Sequence, residues 1–358
     1  MHTKVHAHTR ETVNSNNMAK IHFLNVKDGD CSIIQHENGN VTMIDVCCAD
    51  ASEERDIQKA LSANESLTGI HVKGNFRQKE HPENPLVYLQ SLGVKTIFRY
   101  IQTHPDMDHM DGLNDIADNF EICNFWDTDN TKVQNFDANG LCRGYKKIDW
   151  DKYQELRNSQ ESPKALIYYD GNENKYYAED DNGKKSDDYI QILSPTMELI
   201  QQANDGKDWN DSSYVILYHI HGRKVLFMGD AGMRTINHLL AKHIEDISDI
   251  DVLIAPHHGR DSDKDFNFLS VMRPKLTLFG NALNKDLAHQ AWNNRKLMHI
   301  TNNEAGNILV DITSAGIIVA ASNKTFADKV VQSTSKADAL KYPLLNYWRL
   351  GALKLVKK

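Results

Sequence analysis

Residues 103–112 read Thr-His-Pro-Asp-Met-Asp-His-Met-Asp-Gly and follow directly on the run KTIFRYIQ of residues 95–102. A run so rich in β-branched and aromatic residues predicts a strand that stops where the polar cluster begins. Four candidate ligands, His104, Asp106, Asp108 and His109, then fall within six residues. At a strand end this spacing lets imidazoles and carboxylates converge without help from distant chain. A mixed nitrogen and oxygen donor set suits Zn²⁺, and added carboxylate shifts the preference toward harder ions such as Mn²⁺. Adjacent Asp108 and His109 can face different ways, so one segment can serve two ions.

Working outward, other strand-like runs end in residues of the same kind. IHFLNV (21–26) stops at the turn Lys27-Asp28-Gly29-Asp30, and CSIIQH (31–36) leads to an Asn-Gly hairpin turn at 38–39. The return run VTMIDV (41–46) carries Asp45 near its end. KVLFMGD (224–230) ends in Asp230, and DVLIAP (251–256) runs into His257-His258-Gly259, where glycine permits a tight turn beside a site. Further strands are expected in 189–195, 213–220, 275–280, 307–313 and 316–322, and a helix in 233–244. Strands outnumber helices, yet helices recur between them, which predicts sheets packed under outer helices. Residues 130–188 are polar and poor in aliphatics and read as an insertion. Residues 1–17 lack the apolar segment of a secretory signal and read as a flexible extension ahead of a domain at 18–330. Helical spacing of apolar residues marks 331–358 as a C-terminal helical tail.

The composition narrows the class. With 358 residues, 40% hydrophobic and 25% charged, the chain is globular. No apolar run approaches the roughly 20 residues of a membrane span, so no membrane contact is expected. A net charge of −8 argues against a dominating basic surface for nucleic acid. Five cysteines, few and odd in number, fit a reducing compartment, and the cytoplasm is the expectation. Charge is uneven, however. Residues 271–358 hold 13 Lys and Arg against 5 Asp and Glu, a net of +8. Tyr342, Tyr347 and Trp348 among these charges would either line a path for a polyanion or pack an ordinary helix.

Six segments, FLNVKDGDCSII, MIDV, THPDMDHMDG, Asn210-Asp211-Ser212-Ser213, LFMGDA and APHHG, occur in that order across residues 20–320. Together they resemble the metallo-β-lactamase superfamily, and within it the ComEC-like branch. The resemblance implies an α/β fold, an αββα sandwich of two mixed β-sheets flanked by helices. It further implies that His104, Asp106 and Asp230 hold one metal, and that Asp108, His109, Asp230 and one of the paired histidines hold a second. His258 is the favoured ligand, with His257 on a substrate phosphate; the reverse order is the alternative. Asp45 would orient a ligand from behind, and Asn210 and Ser213 would stand at the substrate. Asp106 occupies a position where many members have His. Where the family has a small glycine-containing turn after Asp45, this chain has Cys47 and Cys48, expected as buried thiols, with contact to the metal site as the alternative. His219 and His221 read as hairpin-end residues, and His238 and His243 as surface or packing residues of a helix.

The expected function is therefore metal-dependent hydrolysis. Two divalent ions, Zn or Mn, would lower the pKa of a bridging water, with Asp108 as a secondary proton acceptor. The ComEC-like resemblance implies a phosphodiesterase or nuclease acting on nucleic acid or another phosphodiester. Hydrolysis of another small ester, lactam or phosphoester is the alternative, as is a non-catalytic binding subunit.

Overall fold

The computed structural model describes residues 18–52, 76–173, 187–262, 264–335, 338–343 and 345–353. The expected extension at 1–17 lies outside the described residues, as does 174–186 of the expected insertion.

Two sheets face one another. The larger contains β1 (Ala19–Phe23), β2 (Ser32–Gln35), β3 (Val41–Ile44), β4 (Thr96–Ile101) and β5 (Glu121–Asp127). A two-stranded hairpin, β6 (Leu141–Cys142) and β7 (Tyr145–Lys146), stands apart before β8 (Lys164–Ile167) joins the same sheet. The smaller sheet contains β9 (Asp188–Ser194), β10 (Val215–Ile220), β11 (Arg223–Phe227), β12 (Val252–Ile254), β13 (Leu276–Phe279) and β14 (His299–Thr301). The chain then returns to the larger sheet with β15 (Ile308–Thr313), β16 (Gly316–Ala321) and β17 (Trp348–Leu353). Strand order is β17-β16-β15-β1-β2-β3-β4-β5-β8 in the larger sheet and β14-β13-β12-β11-β10-β9 in the smaller. Both are mixed. The β3-β4-β5-β8 and β11-β12-β13-β14 ladders are parallel, and the other pairings are antiparallel.

Alternation along the strands explains the layering, because successive side chains point to opposite faces. Ile21, Phe23 and Ile101 of the larger sheet meet Ile192, Ile216 and Phe227 of the smaller in one fully or nearly fully buried layer. The opposite face of the larger sheet, with Ile33, Met43 and Tyr100, is covered by helices α1 (Pro85–Ser91), α2 (Leu113–Asn119) and α3 (Lys147–Arg157). α4 (Met197–Gly206) follows β9, and α5 (Met233–Lys242) follows β11. Ile236 and Leu239 of α5 join Leu217, Leu226 and Leu253 on the outer face of the smaller sheet. The architecture is the expected αββα sandwich.

Two regions differ from their sequence reading. The 130–188 stretch is more than an excursion, since β8 within it extends the larger sheet in parallel with β5. The tail is not helical throughout. A helix spans Lys324–Ser335, and Trp348–Leu353 forms β17 against β16. Tyr342 and Tyr347 are buried, the first donating to Asp311 Oδ2 and the second hydrogen-bonded to the Tyr88 hydroxyl at 2.8 Å. Those bonds commit both rings to the core and remove them from any path for a polyanion.

Candidate metal centre

The ends of parallel strands set the site. β4 runs into Gln102, whose buried side-chain amide donates to the backbone carbonyls of His104 and His109 at 2.9 and 3.0 Å. That clamp folds the 104–109 segment back on itself. Asp45, at the end of β3 with a positive φ of 57°, accepts from Thr103 N at 2.7 Å, from Thr103 Oγ1 at 2.6 Å and from His109 Nδ1 at 2.7 Å. With Nδ1 donating to Asp45, His109 must present Nε2 to the site. Close backbone approach completes the loop. A Cβ on Gly29 would fall 1.7 Å from the Asp108 carbonyl oxygen, so only glycine fits there.

From the other sheet, β11 delivers Asp230 and β12 delivers His257-His258. The His257 N–H donates to the Gly229 carbonyl at 2.9 Å, and Ser213 Oγ accepts from Asp230 N at 3.2 Å. His257 and His258 have φ of 54° and 57°, a conformation costly for side-chain-bearing residues. At Gly259 (φ 86°) a Cβ would meet the Phe279 ring at 2.5 Å, so the turn tolerates a side chain at the two histidines but not at the glycine.

The ligand atoms then converge. His109 Nε2 lies 3.2 Å from Asp230 Oδ1, and His104 Nε2 lies 3.8 Å from Asp230 Oδ2. His258 Nε2 lies 3.7 Å from Asp108 Oδ2 and 3.6 Å from Asp230 Oδ1. His104 thus groups with His109 and Asp230, and Asp108 with His109 and His258. His104, His109 and His258 are fully buried, yet their Nε2 atoms and Asp230 Oδ1 lack an aligned hydrogen-bond partner. Orphaned buried polar atoms are costly unless something else satisfies them. Separations of 3.2–3.8 Å match the spacing of two donors on one ion, roughly 3.3–3.6 Å for bonds of about 2.0–2.2 Å. The donor set fits a divalent metal.

The electrostatics fit as well. Burial works against the charged forms of Asp108 and Asp230. The His258 contact at Asp108 and the His258 and His109 charges at Asp230 outweigh it, holding both carboxyls below their ordinary range. Burial likewise opposes protonation of His258 and His109. Asp230 with Asp30 lifts His258 to about 10, and Asp230 with Asp45 lifts His109 well above the usual value. The carboxylates thus favour protons on His109 and His258, and a cation bound there would take the place of those protons.

Asp106 stands somewhat apart. Its Oδ2 is 3.9 Å from His104 Nε2 while its Oδ1 pairs with Lys132 of the 130–188 stretch. His257 is one-fifth exposed, with Nε2 3.5 Å from Asp230 Oδ2 and Nδ1 3.0 Å from Ser262 Oγ. Asn210 lines the cavity described below, whereas Ser213 is fully buried and holds the Asp230 turn. Its burial leaves it no surface for a substrate. Asp211, between them, accepts from Thr235 N at 3.1 Å and so caps α5. Cys47 is fully buried, and the Cys48 thiol donates to the Glu83 carbonyl at 3.3 Å. His219 stacks on Tyr189 with ring centroids 4.2 Å apart and His221 pairs with Glu37 at 2.7 Å, both at the β10–β11 hairpin.

Sequence reasoning missed Asp30, Gln102 and Lys132. Asp30 Oδ1 lies 3.0 Å from His258 Nδ1 and faces that ring from behind, though without the aligned hydrogen bond that Asp45 makes to His109. Its only sequence signal is the Gly-Asp pair before a strand. Lys132 carries no signal, being 26 residues from its partner.

Asp106 and Asp108 open on a cavity of about 400 Å³, also lined by Lys132, Arg143, Tyr145, Lys207 and Trp209. The Lys132 ammonium sits 5.2 Å from the Trp209 ring centroid.

No protein-family model matches the chain, and no curated protein matches it. Among solved structures it is similar to a CmlA beta-hydroxylase E377D mutant, at 12% identity over 82% of this chain and 54% of that one, with a TM-score of 0.44. It is also similar to a protein of unknown function from Enterococcus faecalis V583, at 9% identity over 66% and 49%, with a TM-score of 0.29. The chain spans about half the length of either. At those scores neither likeness bears on its chemistry, and the class rests on the molecule itself: an αββα sandwich with a metal-competent donor cluster where the ends of both sheets meet.

Proposed function

We propose that this chain is a metal-dependent phosphodiesterase or nuclease working with two divalent ions, Zn²⁺ or Mn²⁺. The observation that supports this reading most is the cavity. Once Asp106 and Asp108 are committed to cations, Lys132, Arg143 and Lys207 outnumber the remaining wall carboxylate, Asp208, which pairs with Arg234, and the net positive wall suits a phosphodiester better than a neutral ester or lactam. Trp209 and Tyr145 offer rings on which a base could stack.

Bound cations supply Lewis acidity, lowering the pKa of a water and polarising a phosphoryl oxygen. His104, Asp106, Asp108, His109, Asp230 and His258 hold them. Asp45 fixes the His109 ring by a hydrogen bond from behind, and Asp30 faces the back of the His258 ring. Asp108, held as a carboxylate, acts as a ligand and makes a poor proton acceptor at neutral pH. Burial pushes His257 down to about 4, so it is neutral at pH 7. Its Nδ1 is hydrogen-bonded to Ser262 Oγ, and in the tautomer where Ser262 donates, Nε2–H would face the site and donate to a non-bridging phosphate oxygen. Lys132, released from Asp106, binds the same phosphate.

The test is cleavage of single-stranded DNA, double-stranded DNA, RNA and bis(p-nitrophenyl) phosphate with Mn²⁺ or Zn²⁺, beside an Asp108→Ala control. Metal-dependent cleavage lost in the control supports the proposal, and the preferred polymer names the substrate. Cleavage of the small diester alone narrows it to a smaller phosphodiester. Silence on all four, by folded and metal-loaded protein, overturns it.

A further inference from the structure

A second His and Asp cluster lies outside the catalytic donor set and shares no residue with it. His238 sits on α5 and His243 ends that helix, while Asp170 comes from the loop after β8, 68 residues upstream of His238. Asp170 Oδ2 lies 3.0 Å from His238 Nε2, and its Oδ1 lies 2.9 Å from His243 Nε2. One carboxylate thus bridges two imidazoles that each present the same ring nitrogen.

Two further observations separate this from an ordinary surface ion pair. His243 Nε2 is buried and has no aligned hydrogen-bond partner despite its short distance to Asp170. Its other nitrogen, Nδ1, is 3.0 Å from Asp246 Oδ2, the carboxylate–histidine arrangement that orients metal-ligating imidazoles. The loop is also placed firmly. Asp170 N donates to the Pro195 carbonyl at 2.8 Å, and Gly171 N to the Ile192 carbonyl at 3.3 Å. The donors therefore stand on a fixed loop and a packed helix.

We propose that Asp170, His238 and His243 form a separate zinc site, backed by Asp246, that fastens the loop after β8 to the helix behind Asp230. Two imidazoles and a carboxylate suit Zn²⁺, with solvent completing the shell. The cation binds where the Asp170 carboxylate now meets the two rings, so both histidines bind it as neutral ligands. This inference does not depend on the catalytic reading.

The experiment measures zinc per chain by elemental analysis after equilibration at buffered free Zn²⁺, in full-length protein carrying His104→Gln and His258→Gln to weaken the catalytic cluster. Adding His238→Gln and His243→Gln is expected to remove one further equivalent. Asp170→Asn, a gentler change, is expected to weaken that equivalent at least ~10-fold, in line with loss of a ligand or its support. Cobalt substitution gives a second readout, with tetrahedral d–d absorption that disappears in the same variants. Equal zinc content and an unchanged cobalt spectrum in folded Asp170→Asn and His238→Gln/His243→Gln proteins would overturn the site and leave a histidine–aspartate ion-pair cluster only.

Discussion

Two groups of fully buried histidines sit in one sandwich and are built differently. His22, on β1, has both nitrogens satisfied: Nδ1 by the Tyr88 hydroxyl at 2.8 Å and Nε2 by Gln35 Oε1 at 2.9 Å. The Tyr88 hydroxyl continues to Tyr347 at 2.8 Å, so the polar chain closes within the protein. His104 and His109 each have one nitrogen bonded, by Thr103 or Asp45, and the other left facing Asp230 without an aligned bond, while His258 has an aligned bond at neither, with Asp30 facing Nδ1 and Asp108 and Asp230 facing Nε2. Burial alone does not distinguish them, since all four are inaccessible. Completeness of hydrogen bonding does. A closed network is structural, whereas a half-closed one of identical burial awaits a ligand.

The sharpest way to break this contrast is Asp230→Asn. It removes the carboxylate that His104, His109 and His258 share, and under the proposed function metal-dependent kcat/KM should fall ~10³-fold, about 4 kcal/mol in transition-state stabilisation. Without metal the variant should also lose some stability, because Asp230 there faces protonated His109 and His258, so the loss of metal-dependent turnover is the deciding readout. A large drop in Tm with activity retained would place Asp230 with His22 on the structural side.

The second test is pH. Burial lowers His22 to about 4 from 6.5. Above pH 6.5 it is neutral in both folded and unfolded chains and costs nothing. As pH falls from 6.5 to 4 the unfolded chain takes up a proton that the folded protein refuses, so stability declines across that window, by roughly 3 kcal/mol in all. Denaturant unfolding of wild type and His22→Gln between pH 7 and 4 should show a shallower decline in the variant. Equal slopes would mean His22 is protonated in the fold.

Asp45→Asn is the next step down. It leaves the His109 ring in place but offers an amide where the carboxylate accepted, and metal affinity should fall ~10–100-fold. Calorimetric titration with Zn²⁺ at fixed pH reads this directly, and an unchanged affinity would make Asp45 a fold-holding residue only. Tyr88→Phe is the smallest. It orphans His22 Nδ1 while the Tyr347 hydroxyl keeps Asn307, and should cost about 1–3 kcal/mol of stability with metal affinity untouched. A change in metal affinity here would join the two networks that the structure keeps apart.

Legibility followed distance along the chain. His104, Asp106, Asp108 and His109 are visible in sequence because a strand end and one short turn hold them all. Asp230 and the His257-His258 pair are visible because each ends an apolar run. Asp30 and Asp170 are not, since an aspartate in a polar loop has no pattern until a histidine from another sheet or helix arrives beside it. His238 and His243 read as ordinary helix residues for the same reason. The tail misled because residues 339–353 carry an apolar spacing that a helix and a strand can both use. What decided it was the free edge of β16, which supplies backbone partners to Trp348–Leu353.

By itself the sequence determined the alternation that makes two sheets, the turns between them, and the cluster of metal-type side chains at strand ends, because all three are written in residues close together. Tertiary structure alone decided which candidate donors lie within reach of one another and which stand behind them. It also decided that Tyr342 and Tyr347 are core and that Lys132 reaches the site, because those contacts exist only once strands and loops far apart in the chain have been packed together.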